Sequence, residues 1–112
     1  MRTDARIPDL VIRQGETASA PLAREAHRYA DSFTIGCLAA ALTGTVTVEI
    51  SLDDGENYHG FQSPPGTDVA IAATKAITIL APAWTHIRVK SSSAEAIDRT
   101  FQVRISEEIG TI

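Results

Sequence analysis

The stretch TVTVEISLDDGENY, residues 45–58, decides how this chain is to be read. Its first six residues alternate: Val46, Val48 and Ile50 fall on one side of an extended backbone, and Thr45, Thr47 and Glu49 on the other. Successive side chains of a strand point to opposite faces, so this is the pattern of a strand with one face in a core and one in water. The next eight residues, SLDDGENY, gather Asp53, Asp54 and Glu56 around Gly55. Such a cluster is a calcium loop, a catalytic acid pair or the turn of a hairpin. An EF-hand loop needs oxygen ligands at alternate positions over about twelve residues, a closing glutamate and an entering helix. SLDDGENYHGFQ lacks that pattern, and a strand leads into it. Acid–base chemistry by two carboxyls needs them across a cleft in unlike environments. Asp53 and Asp54 are neighbours on one turn. The pattern that fits is Ser-x-Asp-x-Gly-x-Thr-Trp, the Asp-box hairpin, with Asn57 in place of the threonine and Tyr58 in place of the tryptophan. There the aspartate accepts backbone N–H groups, the glycine takes positive φ and the aromatic ring packs beneath. The stretch reads as a metal-free hairpin.

Outward from it, the alternation recurs in AITIL (76–80), HIRVK (86–90) and FQVRIS (101–106). These runs are rich in β-branched residues, which suit a pleated surface. Turn signals separate them: Thr43-Gly44, Pro64-Pro65-Gly66, Ala81-Pro82 and Ser91-Ser92-Ser93. The segment PLAREAHRYA (21–30) contains helix formers, but Tyr29, Phe33, Ile35 and Cys37 or Leu38 read as a strand entering the core. Residues 28–37 are therefore assigned to a strand and residues 22–25 to a turn or short irregular piece. Residues 7–12 make an edge strand kept short by Pro8, and residues 1–5 a flexible arm. The expected architecture is one all-β domain over residues 1–112, an antiparallel β-sandwich of about eight short strands, jelly-roll-like or Ig-like. Val46, Val48, Ile50, Ile77, Ile79, Ile87, Val89, Phe101, Val103 and Ile105 should face inward.

Composition narrows the function. The chain has 44% hydrophobic residues and few aromatics, so its core rests on aliphatic side chains. A net charge of -4 with scattered Lys and Arg argues against a nucleic-acid partner. No apolar run reaches membrane-spanning length and no leader-like opening is visible, which points to folding in a reducing cytosol. The single Cys37 lies in an apolar run, where a thiol acts as a small buried hydrophobe. His27, His59 and His86 have no metal-ligand spacing. No nucleophile elbow surrounds the serines at 91–93. The expectation is therefore a protein with no catalytic residue, metal or cofactor. Trp84, the one tryptophan, is expected in the core or an interface; if exposed with Tyr58, the two rings would suit a sugar. The flanks mix Ile7, Leu10, Val11, Ile109 and Ile112 with polar residues and lack turn punctuation. These five are candidate interface residues, ordering against a second copy or a larger surface.

The order of elements over residues 29–105 carries a resemblance. A Val-alternating strand closes on Ser-x-Asp-x-Gly (45–55), followed by Thr67-Asp68-Val69 and a Lys-Ala-Ile-Thr strand (75–80). Then come Ile87-Arg88-Val89, a serine turn and a closing Arg99-Thr100-Phe101 strand. This resembles small β-sandwich virion proteins of tailed bacteriophages, especially those bound to capsid exteriors. The resemblance implies a non-enzymatic capsid decoration (cement) protein, made in the host cytoplasm and carried on the virion. It implies as partners the major capsid protein and further copies of this chain, as a homotrimer. The alternative is a carbohydrate-binding or adhesin-type module of a phage tail or baseplate, using Trp84, Tyr58 and the Pro64-Pro65-Gly66 loop.

Overall fold

The computed structural model describes residues 2–24, 30–63, 65–80 and 84–108. Eight strands follow one another: β1 (Arg2–Ile12), β2 (Leu22–Ala23), β3 (Ala30–Cys37), β4 (Val46–Ser51), β5 (His59–Gly60), β6 (Ala76–Leu80), β7 (His86–Ser91) and β8 (Arg99–Glu108). They form two four-stranded sheets, β1-β8-β3-β6 and β2-β7-β4-β5. All pairings are antiparallel, and they nest: β1 with β8, β2 with β7, β3 with β6, β4 with β5. That is one long hairpin ribbon, with its tip between β4 and β5, rolled so that alternate strand pairs land in opposite sheets. This is the jelly-roll solution, and it separates the chain from the Ig arrangement. SLDDGENY is the tip of the ribbon.

Burial follows the alternation. In β4, Val46 and Val48 are buried between Thr45, Thr47 and Glu49; Ile87 and Val89 repeat this in β7, and Phe101, Val103 and Ile105 in β8. The core is completed by Ile12, Phe33, Ile35, Cys37, Ile71, Ile79 and Trp84. Ile50 and Ile77 face inward but are only half-buried. Each belongs to a strand with little cover beyond it: β4 has only two-residue β5 outside it, and β6 ends its sheet. Burying one such aliphatic side chain stabilises the fold by about 1.5–3 kcal/mol.

Three expectations about the chain's first part are corrected. Residues 2–5, expected as a flexible arm, pair with residues 105–108 of β8. Pro8 does not shorten the strand either. β1 lies at a sheet edge, where a missing N–H is tolerated, and the register shift between Ile7 and Leu10 takes up the irregularity. Of residues 22–25, read as a turn or short irregular piece, Leu22 and Ala23 form the two-residue β2 against β7, and residue 25 lies outside the described residues. The strand expected over 28–37 is present as Ala30–Cys37; its first two residues lie outside the described residues. Among the described residues no helix is long and apolar enough to cross a membrane.

Candidate interaction surface

At the ribbon's tip the side chains of Ser51 and Asp53 build the turn. The buried Ser51 hydroxyl donates to Asp53 Oδ1 at 2.8 Å and accepts the Gly55 N–H at 2.8 Å. Asp53 Oδ1 also accepts the Asn57 N–H at 2.9 Å, and Oδ2 the Asn57 side-chain amide at 2.6 Å. Asp54 and Gly55 both adopt positive φ, 59° and 87°. An aspartate tolerates this region better than most side chains, and glycine suffers no Cβ penalty there. The Asn57 and Ser51 hydrogen bonds hold the Asp53 carboxyl down at about 2. A carboxylate so stabilised is a poor base. The turn is pinned to the roll through Thr85, which donates its N–H to Ser51 O at 2.8 Å and accepts the Asp54 N–H at 3.0 Å.

The two aromatic rings are not brought together as an exposed platform. Trp84 is 2% exposed, packed edge-on against Phe33 at 4.8 Å between ring centres. Its Nε1–H has no hydrogen-bond partner among the described residues. Tyr58 is half-buried beneath the turn, and its ring face is covered by the Arg88 guanidinium at 3.9 Å. Arg88 is held in turn by Glu49 at 2.7 Å. Burial raises the Tyr58 pKa, against the opposing pull of Arg88. The ring therefore serves as the floor of the hairpin.

Of the five candidate interface residues, Ile7 (8% exposed) and Leu10 (3%) belong to the chain's own core, and Val11 is half-exposed. Ile109 and Ile112 lie outside the described residues, as do His27 and Pro64. Cys37 is buried; His59 is exposed, and His86 sits half-buried with Nδ1 3.2 Å from the Thr85 hydroxyl. Among the described residues no three His, Cys, Asp or Glu side chains gather where they could hold a metal ion.

Sequence reasoning passed over Glu95, the most densely bonded side chain of the molecule's described part. It is 1% exposed and lies in the turn between β7 and β8. Oε1 accepts the Thr43 N–H at 2.9 Å and Arg99 Nε at 2.8 Å. Oε2 accepts the Gly44 N–H at 3.0 Å and the Ser91 hydroxyl at 2.6 Å. Burial pushes this carboxyl up, but the bonds from Ser91, Thr43, Arg99 and Gly44 outweigh it and hold it at about 2. The main chain of Glu95 also bonds Gly15 and Glu16, so one residue ties together three loops. A buried ion that is paired and fully hydrogen-bonded is the form in which such a charge is tolerated. The only local clue was spacing: Ser91 and Arg99 stand four residues before and after it.

Among the concave places on the described surface, two flank the first sheet. A shallow basin of about 310 Å³ on the outer face of β1-β8-β3-β6 is bordered by Arg6 and Arg104, with Thr34, Gly36, Ala76 and Gln102. Arg6 and Arg104 stand directly opposite each other across the strands, and Asp9 pairs with Arg6 at 3.1 Å. An open groove of about 650 Å³ runs along β6, lined by Phe61, Val69, Ile77, Ile79 and Leu80 with Gln62, Ser63 and Thr78. Neither holds a nucleophile beside a base.

The fold is an all-β jelly roll whose two stabilised carboxylates, Asp53 and Glu95, are locked into turns. Among solved structures its fold is shared by the SPBc2 prophage-derived protein YomS, with a TM-score of 0.61 over 96% of each chain at 6% identity. A chain from Bacillus endospore appendages, a family of disulfide-linked pili, aligns over 98% of this chain and 88% of its own at 18% identity, with a TM-score of 0.47. No protein-family model matches the sequence, and no curated protein matches it. The likeness to YomS is one of fold.

Proposed function

We propose that this chain is a non-enzymatic structural protein of a phage-type particle, and within that class a decoration protein on the capsid exterior. The observation that carries the reading is the end-to-end agreement of its roll with that of a prophage-derived protein, 96% of each chain. The chemistry of the side chains points the same way. Asp53 and Glu95 have their charge stabilised by saturating hydrogen bonds, whereas an acid–base catalyst must exchange its proton near the working pH. Trp84, the natural sugar platform, is inside the core. Its partners in this reading are the major capsid protein and further copies of itself. Rigid turns and a closed core suit a protein that must keep one shape on a lattice.

The test adds the purified full-length chain to particles lacking it and follows co-sedimentation and the particles' resistance to heat. Saturable binding with delayed rupture is expected. A chain that stays in the supernatant with every head tested would overturn the decoration reading; binding to tails alone would move it to the tail.

A further inference from the structure

We infer that β6 is a self-pairing edge, through which two copies of this chain join antiparallel about a twofold axis at Thr78. The four sheet edges are treated unequally. A free edge presents a row of unpaired N–H and C=O groups to any other strand, and proteins usually blunt it with proline, bulges, charge or brevity. β1 carries Pro8, a register shift and the Arg6–Asp9 charges. β2 and β5 are two residues long. β6, Ala76-Ile77-Thr78-Ile79-Leu80, has five residues, no charge, no proline and no register shift.

Its outward bonding groups follow from the register. Cys37 donates its N–H to Lys75 O at 2.9 Å, and the pairing continues as Ile35 with Ile77 and Phe33 with Ile79. In an antiparallel ladder hydrogen-bonded and non-bonded pairs alternate. Residues 75, 77 and 79 therefore bond to β3, and Ala76, Thr78 and Leu80 turn their N–H and C=O groups to the open side. Among the described residues nothing bonds them there.

This array is self-complementary. A twofold axis at Thr78 sets Ala76 of one copy against Leu80 of the other and Thr78 against Thr78, every pair able to exchange two hydrogen bonds. Ile77 then faces Ile79 of the other copy on the core side, beside the groove floored by Phe61 and Val69. No like charges meet across the seam. Leu80, 71% exposed in the single chain, gains cover. The joined sheets form one continuous eight-stranded sheet across the dimer. The inference stands on the sheet edge alone, so it can fail while the particle role survives.

The test measures the molar mass of the full chain by sedimentation equilibrium over a wide concentration range. A concentration-dependent dimer is expected. Thr78→Pro removes an outward N–H and leaves the β3 backbone ladder intact, giving up only the exposed Thr34–Thr78 hydroxyl bond, and Leu80→Lys sets charge on the edge. Both should weaken dimerisation at least tenfold while the chain stays folded, with Leu80→Lys leaving the thermal midpoint nearly unchanged. Thr78→Cys should cross-link under mild oxidation, because paired residues have Cα atoms about 5.5 Å apart, within disulfide reach. Ala76→Cys, offset from the axis, should not. A wild-type chain that stays monomeric, an assembly that both edge variants leave intact, or equal cross-linking at both positions would overturn the pairing. A monomer that still coats particles would sink the pairing alone.

Discussion

Replacing Glu95 by glutamine keeps the shape of the side chain and removes its charge. In the native turn each carboxylate oxygen accepts two donors, Thr43 N–H and Arg99 Nε on one, Gly44 N–H and Ser91 Oγ on the other. An amide keeps one such oxygen. Turned toward Thr43 and Arg99, its NH₂ faces two donors; turned the other way it still faces the Gly44 N–H, although the Ser91 hydroxyl can rotate to accept. At least one bond is lost, and Arg99 loses its charged partner in either case. Hydrogen bonds to a charged group contribute about 1.5–3 kcal/mol each, and breaking a buried ion pair costs about 3–5 kcal/mol. The expected loss is thus about 3–5 kcal/mol, a large part of the roughly 5–15 kcal/mol available to a domain. Urea unfolding near neutral pH measures it. A second signature is independent of the first. The Glu95 carboxyl is held at about 2 instead of 4.5, so its stabilisation is fully present above 4.5 and is lost as pH falls towards 2. A displacement of that size corresponds to about 3 kcal/mol. Glu95→Gln should therefore be less stable than the wild type near neutrality and should lose less on acidification. A variant within about 1 kcal/mol of the wild type, or one with the same acid profile, would refute this account.

Gly44→Ala should destabilise by about 1–3 kcal/mol, since a Cβ there meets the Ser91 hydroxyl and lies 2.8 Å from the Ser93 backbone nitrogen; thermal unfolding reads it. Trp84→Ala should lose about 3–5 kcal/mol through the cavity it opens, whereas Trp84→Phe also removes a buried N–H without partner and should be the milder change; a denaturation series ranks the two. Calcium or a chelator should leave the melting temperature unmoved, because the oxygens of Asp53 already take hydrogen bonds from Ser51 and Asn57.

The strands with strict alternation were legible before any coordinates. In β4, β7 and β8 the inward apolar positions were visible, because a two-residue period assigns faces without knowledge of partners; the buried Ser51 and Ser91 at the strand ends were not. The Asp53 turn was legible too, since its bonds join residues within a few positions of one another. What escaped was long-range. β1 runs through Pro8 only because its neighbour β8 comes from the far end of the chain. The two residues of β2 are too few to show a period. Glu95 looked like one more polar residue after three serines; the amides that bury it belong to Thr43 and Gly44, about fifty positions earlier. The groove along β6 likewise brings Phe61 and Val69 beside Ile77, which no local pattern announces.

Strand β8, which follows the other seven described strands along the chain, lies in the interior of its sheet, between β1 and β3. Until it arrives, those two strands have no common partner, and the apolar faces of Leu10, Ile12, Phe33 and Ile35 await Phe101 and Val103. The nascent chain therefore cannot complete this layer strand by strand from β1 onward; closure waits until β8 has been made. A stop codon inside β8 would remove the layer's keystone along with its own ten residues.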